Sequence, residues 1–122
     1  MYREINLTTI NGEEKAFKFL ASATTAYRYR QIFNQDLMVQ LNKMQTLQNG
    51  GTPDESIDST IFEKLAFIMN AQAEGKDMKT LNFESFMIWA DQFEAMELIT
   101  HAPEIVELYL GSKITTSVPK KD

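Results

Sequence analysis

The chain has no cysteine and a single histidine, His101, in 122 residues. Without cysteine there is no disulfide and no cysteine–zinc cluster, and a reducing compartment is permitted. With one histidine, any nucleophile–histidine–acid triad has only one base to build on, and nothing around His101 resembles such a triad. Beside Pro103, His101 reads as a capping or surface group. No phosphate loop is present either, since Gly50-Gly51 is not followed by Lys-Ser or Lys-Thr. No apolar run reaches the roughly 18–20 residues of a membrane span. The start of the chain lacks a basic region followed by a long apolar stretch, so no signal peptide is expected. These absences set the expectation of a non-enzymatic cytoplasmic protein with no cofactor, no metal and no membrane association.

Clustered basic charge is also scarce. The net charge is −5, unevenly spread. Residues 54–107 hold twelve acidic and three basic groups, a net of −9, whereas residues 1–30 are net +2. A nucleic-acid interface needs Lys and Arg gathered on one face, so an acidic body argues against one. Such a body reads as a solvated helical surface, or as a docking face for a basic partner. The carboxylates Glu94, Glu97, Glu104 and Glu107 read as part of that solvated face.

Apolar residues make up 43% of the chain, enough for one modest core. Residues 1–111 are expected to form a single α+β domain: a β-hairpin over 1–20, then a mainly helical part of about five helices over 21–111. A flexible linker is expected over 48–56 and a polar tail over 112–122. The hairpin is the clearest local signal. Two alternating runs, Tyr2–Ile10 and Glu13–Leu20, flank Asn11-Gly12, the pair favoured in a type I′ turn because both central residues need positive φ. Ile5, Leu7 and Thr9 share one face of the first strand, and Phe17 and Phe19 share one face of the second. A lone hairpin is marginal in water, so it must pack on the helices, and its outer edges are a strand-addition surface.

Ser22, Thr24 or Thr25 is expected to cap the first helix, which carries Tyr29, Ile32 and Phe33 at helical spacing. Asn34 suits the left-handed stop, and Asp36 restarts a helix through Leu37, Leu41, Met44 and Leu47. Thr52-Pro-Asp-Glu55 fits a capping box, with a later start near Ser56 or Ser59 competing. The helix that follows, through Ile61, Leu65, Ile68 and Met69 to a stop at Gly75, reads as the central buried one. Asn82 can cap a helix through Phe83, Phe86, Met87, Trp89, Ala90 and Phe93. A short helical segment at 95–100 precedes a last helix over Glu104–Leu110, with Pro103 in its first turn and Gly111 as its stop.

Seven methionines suit an adaptable binding surface, although methionine at apolar helical positions is more often core. Trp89, among Phe86, Met87 and Phe93, reads as a core anchor. Tyr27-Arg28-Tyr29-Arg30 contains stacking and cationic groups, but a helix puts only one of each on a shared face.

In order and spacing, several blocks resemble one family. These are Ile5-Asn-Leu7, the run Asn11 to Phe33 with Asp36-Leu37, Lys64-Leu-Ala-Phe-Ile-Met69, Gln72-Ala-Glu-Gly75, Trp89-Ala-Asp-Gln-Phe93 and Leu108-Tyr-Leu-Gly111. The chain resembles the tail assembly chaperones of long-tailed bacteriophages and prophages of Gram-positive bacteria. The resemblance implies a protein that coats the tape measure protein and keeps its apolar helices soluble. It implies recruitment of the major tail protein in the host cytoplasm and absence from the mature virion. It also implies a homo-oligomer on the client, and a frameshifted longer form made near Lys120-Lys121. It carries no catalytic or metal-binding residues. The candidate client surface is Arg28, Arg30 and the apolar helix faces. A structural tail-completion or minor tail protein is the alternative.

Overall fold

A computed structural model describes residues 1–52 and 56–114, the side chains of 48 and 112–114 excepted. Strands β1 (Tyr2–Thr8) and β2 (Glu14–Leu20) form an antiparallel hairpin. Helices α1 (Thr25–Phe33), α2 (Leu37–Gln48) and α3 (Ile61–Ala73) follow. A 3₁₀ turn over Met78–Thr80 leads to α4 (Phe83–Ala90), α5 (Glu97–Thr100) and α6 (Ala102–Ile114). The architecture is α+β, with the hairpin leading a mainly helical domain, as the alternation and helical spacing foretell.

The turn differs from the Asn-Gly expectation, and the difference decides the register. Thr9 N–H donates to the Glu13 carbonyl at 2.7 Å, and Gly12 N–H donates to the Thr9 carbonyl at 2.9 Å. The loop is therefore three residues long. Gly12 alone has positive φ, 84°; Asn11 does not. This is the three-residue hairpin class that closes on a left-handed glycine, not a type I′ turn. Its consequence is the pairing Ile5↔Phe17, with Arg3↔Phe19 and Leu7↔Lys15. Odd-numbered residues face odd-numbered ones, so Ile5, Leu7, Phe17 and Phe19 lie on the same face of the sheet. A two-residue Asn-Gly loop would shift the pairing by one and put the phenylalanines on the opposite face. Burial of both apolar faces together outweighs the turn propensity of the pair.

That shared face lies on α3. Ile61, Leu65, Ala66, Phe67, Ile68, Met69, Asn70 and Ala71 are all buried, and β2, α1, α4, α5 and α6 pack around this helix. The reading of α3 as the central helix holds. So do three cap assignments. Asn34 is left-handed (φ 57°, ψ 38°) and its N–H reaches the Arg30 carbonyl. Asp36 Oδ1 accepts from Val39 N–H at 3.0 Å. Asn82 and Ser85 form a reciprocal capping box.

Other boundaries move. Thr24 is the N-cap of α1, but its side chain makes no cap bond; Ser22 Oγ accepts from Thr24 N–H at 3.3 Å and Thr25 Oγ1 accepts from Ser22 N–H at 2.9 Å. The Thr25 hydroxyl also donates to Gln72 Oε1, tying α1 to α3. Residues 53–55 of the expected capping box and most of the tail at 112–122 lie outside the described residues; α3 opens later, at Ile61. Gly111 does not stop α6, which continues to Ile114. A Cβ at Gly111 would lie 3.3 Å from the Met1 Cε. The flexible tip of the Met1 side chain lies against α6 at this glycine, which continues the helix instead of ending it. The Met1 ammonium donates to the Ala21 carbonyl at 2.6 Å, and Arg3 and Glu107 approach to 3.8 Å, so the N-terminus is tied down on both sides.

Candidate functional site

The chemistry of α4 is unusual from its sequence upward. Its eight residues, Phe-Glu-Ser-Phe-Met-Ile-Trp-Ala, carry six apolar side chains, too many for one buried stripe. The capping box at Asn82 and Ser85 fixes where the helix begins, and that sets which side chains turn inward. Phe86 is buried, and Trp89 and Ala90 are packed partly into the core. The inner side is an aromatic chain: Phe33–Phe86 at 5.4 Å, Phe67–Phe86 at 5.6 Å, Phe67–Trp89 at 5.5 Å, Trp89–Phe93 at 5.0 Å and Phe93–Phe17 at 5.0 Å. Edge-to-face and tilted contacts of this kind hold rings in fixed orientations.

A buried amide locks the same joint. Asn70 on α3 accepts from the Trp89 indole N–H at 2.9 Å and donates to the Lys18 carbonyl of β2 at 2.9 Å. One side chain thereby positions both α4 and the hairpin against α3. The Trp89 core reading is consistent with this arrangement, and Asn70 is a residue that sequence reading passed over.

The outer side of α4 is left to solvent. Phe83 is 53% exposed, Met87 49% and Ile88 69%. At about 100° per residue these three, with Glu84 and Asp91, occupy a single arc of about 140°. Gln92, just past the helix, accepts from Ile10 N–H at 2.8 Å, and Thr9 bridges Phe93. This brings the hairpin tip, with its exposed Ile10, to the C-terminal end of the arc. Exposed apolar groups gathered in one strip, and not scattered singly, mark contact surfaces.

The methionines follow the same division. Only Met69 is fully buried; Met1, Met38, Met87 and Met96 are exposed. Of the four methionines in α-helices, Met69 is buried and Met44 packs against the core, whereas Met38 and Met87 are exposed.

The structure does not bring Arg28 and Arg30 into one site. Two residues apart on α1, they point about 160° from one another. Arg28 Nε donates to Thr24 Oγ1 at 2.9 Å, and Arg30 lies 3.9 Å from Asp36. Tyr29 is fully buried while Tyr27 is exposed, so the Tyr-Arg run presents no stacking platform.

His101 caps α5, and its imidazole sits between two carboxylates, Glu104 at 2.7 Å and Glu97 at 3.3 Å. Glu97 also accepts from Thr8 N–H at 2.8 Å, closing one outward donor of β1. Glu97 is therefore a tie between α5 and the hairpin, not a solvated surface group. Among the described residues no cluster of His, Asp and Glu is arranged to hold a metal ion. No helix among them is long and apolar enough to cross a membrane.

One charged group is strongly perturbed. Burial pushes the Asp58 carboxyl up, but hydrogen bonds from Lys64, from the Thr60 hydroxyl and N–H, and from Gln35 outweigh it and hold it at about 2. Lys64, so neutralised, also lies over the rings of Phe33 at 5.1 Å and Phe83 at 5.9 Å. The pair braces the start of α3 and one edge of the α4 strip.

Comparison with protein-family models, with curated proteins and with solved structures finds no significant match to this chain.

Proposed function

We propose that this chain is a non-catalytic tail assembly chaperone that binds the apolar helices of a tape measure protein and keeps them soluble. It acts in the host cytoplasm, in many copies along one client, helps recruit the major tail protein, and leaves before the virion is complete. The order of sequence blocks supports the family reading. The observation that carries the binding role is the outward face of α4, where Phe83, Met87 and Ile88 are solvent-exposed on a helix whose other side is fixed by aromatic packing. A rigid helix that displays apolar side chains suits the capture of an apolar helix.

The test is co-expression with the tape measure protein of the same genome, followed by size-exclusion analysis. A soluble complex with several copies of this chain per client is the expected result. An insoluble client, with this chain eluting alone, overturns the reading. Recovery of the chain in purified virions would instead favour a structural tail-completion protein.

A further inference from the structure

The charge around the α4 strip specifies what kind of helix it takes. Between Leu81 and Thr100 there are four carboxylates, Glu84, Asp91, Glu94 and Glu97, and no Lys or Arg. Glu84 and Asp91 fall inside the apolar arc, between the directions of Met87 and Ile88. Glu84, Asp91 and Glu94 are exposed. Among the described residues none of these three forms an ion pair; the pairs are Arg3–Glu107, Arg30–Asp36, Lys64–Asp58 and the His101 contacts. Lys64, whose ammonium lies 5.9 Å from the centre of the Phe83 ring at one edge of the strip, is already held by Asp58.

A surface of this kind rejects a wholly apolar partner less than it rejects an anionic one, and it favours a cation set beside an apolar stripe. We infer that the strip formed by Phe83, Met87 and Ile88, with Glu84 and Asp91 set between Met87 and Ile88, is a docking site for a cationic amphipathic helix. This deepens the client-binding reading, on which it rests, by naming the client's chemistry. Leu-type side chains of the partner lie against Phe83, Met87 and Ile88, and its Lys or Arg groups reach Glu84, Asp91 and Glu94. From Phe83 to Asp91 the strip is about 12 Å long at 1.5 Å per residue, room for about two turns of the partner. Met87 lets the site adapt to different apolar side chains, because its thioether chain is flexible and polarizable.

The test uses the full chain and two labelled synthetic helices of about 14 residues, Leu on one face and either Lys or Glu on the other. Binding is read by fluorescence anisotropy across a salt series. The Lys helix is expected to bind at least about tenfold more tightly than the Glu helix, with the gap narrowing as salt screens the carboxylates. Ile88→Ser should weaken the Lys helix by about fivefold or more. Glu84→Gln with Asp91→Asn should weaken it severalfold and flatten its salt dependence, while thermal melting of both variants stays unchanged. Equal binding of the two helices, no binding of either, or binding indifferent to these substitutions would overturn the inference. Concentration-dependent self-association of the unliganded chain that Ile88→Ser abolishes would also overturn it, by assigning the strip to a second copy. The two failures separate cleanly. Loss of peptide binding with a client still solubilised removes this site only, whereas peptide binding without client solubilisation removes the tape measure reading.

Discussion

Helices α3 and α4 are both apolar on more than one side, yet they end in opposite environments. Eight of the thirteen residues of α3 are buried, because the hairpin, α1, α4, α5 and α6 surround it. In α4 only Phe86 is buried, and three large apolar side chains remain in water. The apolar surface of α3 is used up in holding the fold. That of α4 exceeds what the fold consumes, and the excess lies on one face. A surplus that folding does not need is where a binding role has room to act.

The sharpest break in the comparison is a truncation in α3. Leu65→Ala should cost about 3–4 kcal/mol, since Leu65 is fully buried and the neighbouring elements cannot all collapse into the void. Urea denaturation followed by circular dichroism would measure it, and a loss under about 1 kcal/mol would mean α3 is not the central support of the fold.

The joint between the two helices comes next. Asn70→Ala leaves the Trp89 N–H and the Lys18 carbonyl without their partner, at about 2–3 kcal/mol. Trp89 is the only tryptophan, so its fluorescence should also shift in the folded state. An unchanged spectrum would show that the amide does not set the position of α4.

The brace at the start of α3 predicts a pH dependence. The Asp58 carboxyl is held below its unfolded value, so its contribution is complete above about pH 4 and is lost as pH falls through about 2. With its partial exposure to solvent, the contribution is about 1–2 kcal/mol. Asp58→Asn should lower stability at pH 7 by about that amount, and stability at pH 2 should differ much less between the two proteins. Equal differences at both values would exclude the linkage.

The smallest effect belongs to the outer side of α4. Ile88→Ser should change stability by no more than about 0.5 kcal/mol, because the side chain is mostly in water already. The contrast with Leu65→Ala is the comparison in its simplest form. A loss above about 1.5 kcal/mol would place Ile88 in the fold and remove it from the docking strip.

Much of the architecture is legible in local chemistry. Alternation marks the two strands, and Asn34, Asp36 and Asn82 do at the helix ends what their side chains suit them for. The candidate site was legible only in part. Six apolar residues in eight show that α4 cannot bury them all in one stripe, but not which ones stay outside. Arg28 and Arg30, the cations that stood out in the sequence, are engaged within their own neighbourhood. Asn70 gives no sequence signal, since an Asn in an apolar helix acquires its meaning only from the indole and the carbonyl that reach it.

Features that one segment can carry were already set by local residues: strand alternation, helix caps, the apolar run of α3, and the acidic charge of the region around α4. Tertiary structure alone decided the hairpin register, the passage of α6 through Gly111, and the face of α4 left to solvent. Each of these depends on contacts between segments distant in sequence. A turn preference is worth less than joining the buried faces of two strands, and a glycine lying against Met1 does not end the helix as its local habit would. Which side of an apolar helix is hidden is set by the partners that pack against it, and no property of the helix alone contains that information.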